Sequence, residues 1–152
     1  MASMPLNPDL EGRVFPPIGP YSVGREKVRE FAYAVFGTDP IHFDVVAARA
    51  AGHADLVAPA TFVAVVLERT GVQLMKDPDA GLDPTRIVHG SEKATFHRHI
   101  VAGDELTITL TVTNVTERGG NAILATSNEI HDVAGKLVVT VASTFFVRGE
   151  SE

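Results

Sequence analysis

The sequence predicts an α+β domain in which one antiparallel sheet wraps around a single long helix. Three observations predict it. From Ala60 to Leu67 nearly every residue is apolar, the mark of a helix buried on most of its sides. Leu106, Ile108, Leu110 and Val112 alternate with threonines, as a strand with one buried face does. Leu137 to Val147 is a run of β-branched and aromatic residues, continuous enough for a strand with neighbours on both sides. One buried helix needs a cover, and a twisted sheet with an apolar face supplies it. That arrangement is the hot-dog fold.

Five of the nine prolines fall within residues 1–20, which predicts an extended lead-in running along a surface. Residues 21–148 form the domain, and residues 149–152 are a short tail. Tyr21 to Gly24 reads as a short strand. Arg25 to Phe36 reads as an amphipathic helix through Val28, Phe31, Ala32 and Val35, stopped by Gly37 and Pro40. A short helix follows over about Asp44 to Ala51, with Asp44 as N-cap and Gly52 at its end. Pro59 suits the first turn of the central helix. From Arg86 onward the period becomes that of strands, the first from His89 to Ile100. Hairpin turns are expected at Glu117 to Asn121 and at Asp132 to Lys136. The second half is thus an antiparallel meander of about four strands.

Composition narrows the function. The chain has 152 residues, 45% of them hydrophobic, enough for one domain with its own core. Lys and Arg total 13 against 19 Asp and Glu, a formal charge of −6. That balance, with no basic block, argues against a nucleic-acid partner held through phosphates. The absence of cysteine excludes disulfides, thiolate nucleophiles and Cys-based zinc sites. The N-terminal stretch lacks the order of a signal peptide, and no apolar run approaches the roughly 18 residues of a membrane span. A cytoplasmic location, away from membranes, is the expectation.

The stretch VFGTDPIHFDVVAARAAG, Val35 to Gly52, concentrates polar chemistry. Asp39 and Asp44 flank His42. An imidazole near its ordinary pKa beside a carboxylate can share proton transfers. Asp39 stands three residues before His42, close enough to meet it in a helical turn. It also fits the role of turn starter, which Asp before Pro commonly fills. Asp44 reads mainly as a cap, with orientation of His42 as a second role.

DPIHFDVVAARAAG resembles the hydratase motif of the MaoC-like (R)-specific enoyl-thioester hydratases, G-D-x-N-P-x-H-x-D followed by Ala-rich and Gly residues. LVAPATF is similar to the start of that family's central helix, and HRHIVAGDELTITLTV to its strand-turn-strand segment. YSVGREKVREFA and VHGSEKATFHRHIVAGD resemble the actinobacterial group of stand-alone MaoC-like N-terminal dehydratase domains. That group includes a subunit of the mycobacterial (3R)-hydroxyacyl-carrier-protein dehydratase. The resemblance spans Gly19 to Val147. It implies interconversion of trans-2-enoyl and (3R)-3-hydroxyacyl thioesters, carried on coenzyme A or a carrier protein. It implies His42 as the main acid/base, and Asp39, three residues before it, is the candidate carboxylate partner. The backbone at Ala60 and Thr61 would support the thioester oxygen, since Pro59 has no N–H. No cofactor is implied, water being the only other reactant. The chain departs from the motif at one point: its catalytic Asp falls on Gly37, and Asp39 falls on its Asn. In heterodimeric members one subunit keeps the catalytic pair while the other shapes the acyl pocket. Either a homodimer or a heterodimer with a MaoC-like subunit is therefore expected, joined at sheet edges.

The remaining candidates weigh less. His89 and His53 could line a pocket. His97 and His99 would share one face of a strand at metal-ligand spacing, but no third ligand stands at a recognisable distance. Arg86, Lys93 and Arg98 could meet phosphates of a coenzyme A or carrier arm. Ser91 and Ser143 lack a G-x-S-x-G setting. A thioesterase reading would need a carboxylate on the central helix, and only Glu68 is available, late and beside Arg69.

Overall fold

The computed structural model describes residues 5–150. The first four residues of the expected lead-in and the last two of the tail lie outside them. A five-stranded antiparallel sheet in the order β1-β3-β4-β5-β2 curls around one helix. The strands are β1 (Ile18–Ser22), β2 (Ile87–Phe96), β3 (Glu105–Arg118), β4 (Asn121–His131) and β5 (Leu137–Val147). The helices are α1 (Arg25–Ala34), α2 (Val45–Ala50) and α3 (Val63–Lys76). This is the hot-dog arrangement expected from the sequence.

The three strands β3, β4 and β5 do form a meander. Gly119 and Gly120, both at positive φ, make the two-residue turn between β3 and β4. The fourth strand departs from expectation. β2 pairs with β5 rather than β3, because residues 97–104 carry the chain across to the other side of the sheet. β1 and β2 are therefore the two edges. The side chains of β2 beyond Ile87 are exposed, Val88 and Phe96 among them.

The central helix is less enclosed than its apolar run suggests. It begins as a 3-10 turn at Ala60–Phe62 and buries Phe62, Val63, Val66, Thr70 and Leu74 against the sheet. Ala64, Glu68 and Val72 face outward. One sheet covers one side of a helix, so the opposite face of an apolar run stays uncovered in the single chain. The first strand is also shifted, to Ile18–Ser22. Gly19 falls inside it because a Cβ there would stand 2.7 Å from the Leu106 carbonyl oxygen on β3.

The lead-in is corrected most. It does not merely run along a surface: Leu6, Leu10 and Phe15 are buried with Leu74, Leu110, Val112, Leu124 and Val147. Its backbone extends β1 raggedly along β3, with Gly12 N–H donating to Val112 and Phe15 N–H to Leu110. Asn7 donates to the Ala80 carbonyl by its backbone and to the Asp79 carbonyl by its side chain. The three spaced apolar residues close this end of the sheet together with Leu74 from the last turns of α3. A separate core surrounds the start of α3, built on Val28, Leu56, Phe62, Val66, Ile108, Ile130 and Val139.

Candidate active site

The polar stretch after α1 is a chain of caps. Asp39 Oδ1 accepts from Ile41 N–H at 3.1 Å and starts a 3-10 turn at Pro40–His42. Asp44 Oδ1 accepts from Val46 N–H at 2.8 Å and caps α2. Arg29 Nε, on α1, donates to the Phe43 carbonyl at 3.0 Å and holds the turn against the helix. Both aspartates thus have local backbone work, and both are exposed.

His42 is placed by the segment that leads into α3. Val57 N–H donates to the Ile41 carbonyl at 3.0 Å, and His42 Nδ1 stands 2.6 Å from the Val57 carbonyl oxygen. A carbonyl can only accept, so Nδ1 carries the proton. In the neutral ring Nε2 is then the basic nitrogen, half-buried and without a protein partner among the described residues. On its other side the segment pairs with residues 100–102, Ala58 N–H donating to Ile100. His42 and the start of α3 are therefore held by one short extended strand.

The sequence expectation pairs His42 with Asp39. Among the described residues no Asp or Glu oxygen lies within 4.0 Å of a His42 ring nitrogen. The position facing the ring is Gly37. A Cβ built there would lie 3.6 Å from His42 Cδ2 and 3.1 Å from the Ala32 carbonyl oxygen. The position onto which the motif's Asp falls thus borders the His42 ring, and this chain has no side chain there. At the start of α3, Ala60 and Thr61 are exposed residues, and their N–H groups have no acceptor among the described residues. They are free donors at a helix start, as an oxyanion requires.

The other candidates scatter. His89 lies within β2, exposed, its ring stacked on Phe145 at 4.8 Å and Nε2 3.5 Å from Glu92. His97 and His99 fall after β2 rather than on it, since the strand ends at Phe96. His99 instead meets the His53 ring edge-on at 5.3 Å, beside a surface groove of about 420 Å³. Among the described residues no three metal-ligating side chains cluster. Arg98 forks onto Asp104 at 2.8 and 3.0 Å and reaches Asp132 at 3.4 Å, so its guanidinium is engaged within the fold. Arg86 is shared by Asp83 and Glu150.

One ion pair ties the segment before α3 to the start of α1. Arg25 at the start of α1 meets Asp55 through Nε at 3.0 Å and Nη2 at 2.7 Å. The Arg25 hydrogen bonds, with the Leu56 N–H, hold the Asp55 carboxyl below its ordinary value. A carboxyl whose pKa falls on folding adds stability above its unfolded value, about 4, and loses it as pH drops through the folded value. Asp55→Asn is therefore expected to lower the urea midpoint at pH 7. The difference from the parent chain should shrink below about pH 4. A difference that stays constant down to pH 2 would contradict the pairing.

Sequence reasoning missed the Val57 carbonyl, whose role comes from backbone position alone. It also missed Thr126 and Asn128, which face inward on β4 where Ala122, Leu124 and Ile130 are apolar. That break in an otherwise apolar alternation was the available signal.

With this geometry in view, comparison with known proteins fits. The chain matches the family described as FAS1-like, dehydratase domain region, over residues 10–141. A UPF0336 protein of Clavibacter michiganensis is 56% identical over 147 residues, covering 97% of this chain and 99% of that one. A relative from Leifsonia xyli is 55% identical over the same length. Among solved structures, one chain of the HadBC (3R-hydroxyacyl-ACP dehydratase) complex from Mycobacterium tuberculosis superposes with a TM-score of 0.81 at 32% identity. The match covers 91% of this chain and 97% of that one. The (R)-hydratase of A. caviae shares the fold, with a TM-score of 0.70 at 19% identity and coverage of 89% and 94%. The chain belongs to the FAS1-like dehydratase-region family of MaoC-like proteins.

Proposed function

We propose that this chain serves the reversible hydration of trans-2-enoyl thioesters to (3R)-3-hydroxyacyl thioesters as the acyl-binding subunit of a two-chain enzyme. The observation that carries this reading is the empty position facing His42. Hydration across the double bond needs a base to take a proton from water as its oxygen bonds to C3. It also needs an acid to deliver a proton to C2. His42 Nε2 can hold one proton, and Ala60 and Thr61 N–H can support the thioester oxygen as negative charge builds on it. Among the described residues no second proton-transfer group stands at the ring: Asp39 caps its own turn and Gly37 has no side chain. A MaoC-like partner that keeps the full motif supplies the pair in this account.

The open sheet edge supports a partner. β2 is a ten-residue edge strand with exposed Val88 and Phe96, a surface that single soluble chains normally blunt. The resemblance in sequence and structure to the HadBC complex supports a subunit role in the same way. No helix among the described residues is long and apolar enough to cross a membrane. A thioesterase reading has little support, since Glu68 faces away from the sheet.

A second reading, the chain as a hydratase by itself, is favoured by His42 Nε2, the basic nitrogen left without a protein partner among the described residues. Co-expression separates the two. The chain is produced with a MaoC-like subunit of the same genome that retains G-D-x-N-P-x-H-x-D, and the mixture is sized by analytical ultracentrifugation. A stable one-to-one complex is expected. Two separate homodimers would contradict the proposal.

A further inference from the structure

The concave face of the sheet is apolar apart from one patch. Register sets Glu92 of β2 opposite Ser143 of β5, and Ser143 opposite Thr126 of β4. Asn128 follows two residues along the same face, opposite Leu110 of β3. Thr70 comes down from α3 to meet it. With Leu67, Leu74 and Phe145 among the apolar walls, these residues line a cavity of about 160 Å³ between α3 and the sheet. Gly71 and Glu92 are exposed and stand at its rim. Thr70, Thr126, Asn128 and Ser143 are each at most 5% exposed.

The hydrogen bonds in this patch do not close. Thr70 Oγ1 lies 3.0 Å from the Leu67 carbonyl and 2.8 Å from Asn128 Oδ1, yet a hydroxyl has one proton to give. If it donates to Asn128, the carboxamide turns its NH2 to the cavity. If it donates to Leu67, the carboxamide must present its NH2 to Thr70 and turns its carbonyl to the cavity. In either case the far end of the Asn128 side chain has no protein partner among the described residues, and neither has the Thr126 hydroxyl; neither atom is sealed, and both open onto the cavity. Ser143 Oγ reaches only Glu92 Oε2, at 3.5 Å. Polar groups that open onto a cavity are satisfied there by water or by a ligand's polar atom, so a ligand that fills this cavity keeps them paired only if it brings its own hydrogen-bonding atom. A plain hydrocarbon tail would displace water and strand these groups.

We propose that this cavity takes the distal part of an acyl chain bearing a hydroxyl or keto oxygen, and discriminates against a plain hydrocarbon tail. The inference rests on the acyl-binding reading above and gives that pocket its substrate class. An apolar cavity of about 150 Å³ holds a benzene, so room for roughly six carbons follows. An oxygen on that part can donate to Asn128 or accept from it, and can pair with Thr126. Leu67, Leu74 and Leu110 cover the methylenes on either side.

The test compares two probes on the full chain: decanoyl pantetheine, and the same thioester hydroxylated one carbon from the chain end. Affinity is read by isothermal titration calorimetry and location by the side-chain amide signals of Asn128 in nitrogen-15 NMR spectra. The hydroxylated probe is expected to bind about tenfold tighter or better, with the Asn128 signals moving. The preference should fall towards unity in Thr126→Val, which keeps the threonine shape, and in Asn128→Leu. Equal binding of both probes would overturn the proposal and leave the acyl-binding reading standing. Binding of neither would overturn both.

Discussion

Gly37→Asp is expected to turn the purified chain into a hydratase of trans-2-enoyl-CoA, raising its rate about 100-fold or more above the parent. The expectation follows from position. The new Cβ would lie 3.6 Å from the His42 ring, at the position onto which the motif's Asp falls. His42 is already prepared for such a partner, its Nδ1 bound to the Val57 carbonyl and its Nε2 free. The new side chain is tight, 3.1 Å from the Ala32 carbonyl oxygen, so a modest loss of stability accompanies the gain. Gly37→Asn is the matched control, equal in size but unable to exchange a proton. If both variants stay at the parent rate while remaining folded, the missing carboxylate is not what limits this site.

Phe62→Ala is expected to cost about 3–5 kcal/mol, read as a large fall in the urea midpoint with an unchanged slope. Phe62 is fully buried where the chain enters α3. Its ring meets Phe31 edge-on at 5.5 Å and Tyr21 at 6.3 Å, so it joins α1, β1 and α3 in one core. A cavity there also releases the turn that presents the Ala60 and Thr61 N–H groups. The total stability of an ordinary domain is about 5–15 kcal/mol, so the variant is expected near the edge of folding at 37 °C. Phe36 is the contrast: 91% exposed, its replacement by alanine should change stability by less than about 0.5 kcal/mol. A small effect at Phe62 would mean that the core is not organised around the start of α3.

Much of this architecture was legible in the sequence, for identifiable reasons. The strand from Leu137 to Val147 appears with the expected bounds, because a long β-branched run with turn residues before it has few alternatives. Asp44 and Gly52 delimit α2 because capping and left-handed backbone are local chemistry. What was not legible depends on distant contacts. Nothing local says that β2 pairs with β5 rather than β3. The exposed flank of α3 looks the same in sequence as a buried one, since apolar residues there await either sheet or partner. Leu6, Leu10 and Phe15 were hidden among prolines that suggest a surface run, yet they fill the end of the core.

The site shows the same division. His42 could be singled out from the motif, and Gly37, onto which the motif's Asp falls, borders its ring. The capping roles of Asp39 and Asp44 were equally available from sequence. The Val57 carbonyl could not be, since any residue offers one. Thr126 and Asn128 are visible only as a break in an inward-facing alternation, and their meaning emerges when α3 places Thr70 above them.

The most direct test of the central claim is turnover of trans-2-enoyl-CoA of short through long chain length. It is followed as loss of the conjugated enoyl absorbance, first with the purified chain alone and then with the complete-motif MaoC-like subunit added. The account predicts negligible hydration by the chain alone, and hydration by the pair that exceeds the partner's own activity on longer chains. Robust hydration by the chain alone, abolished in His42→Ala, would contradict it.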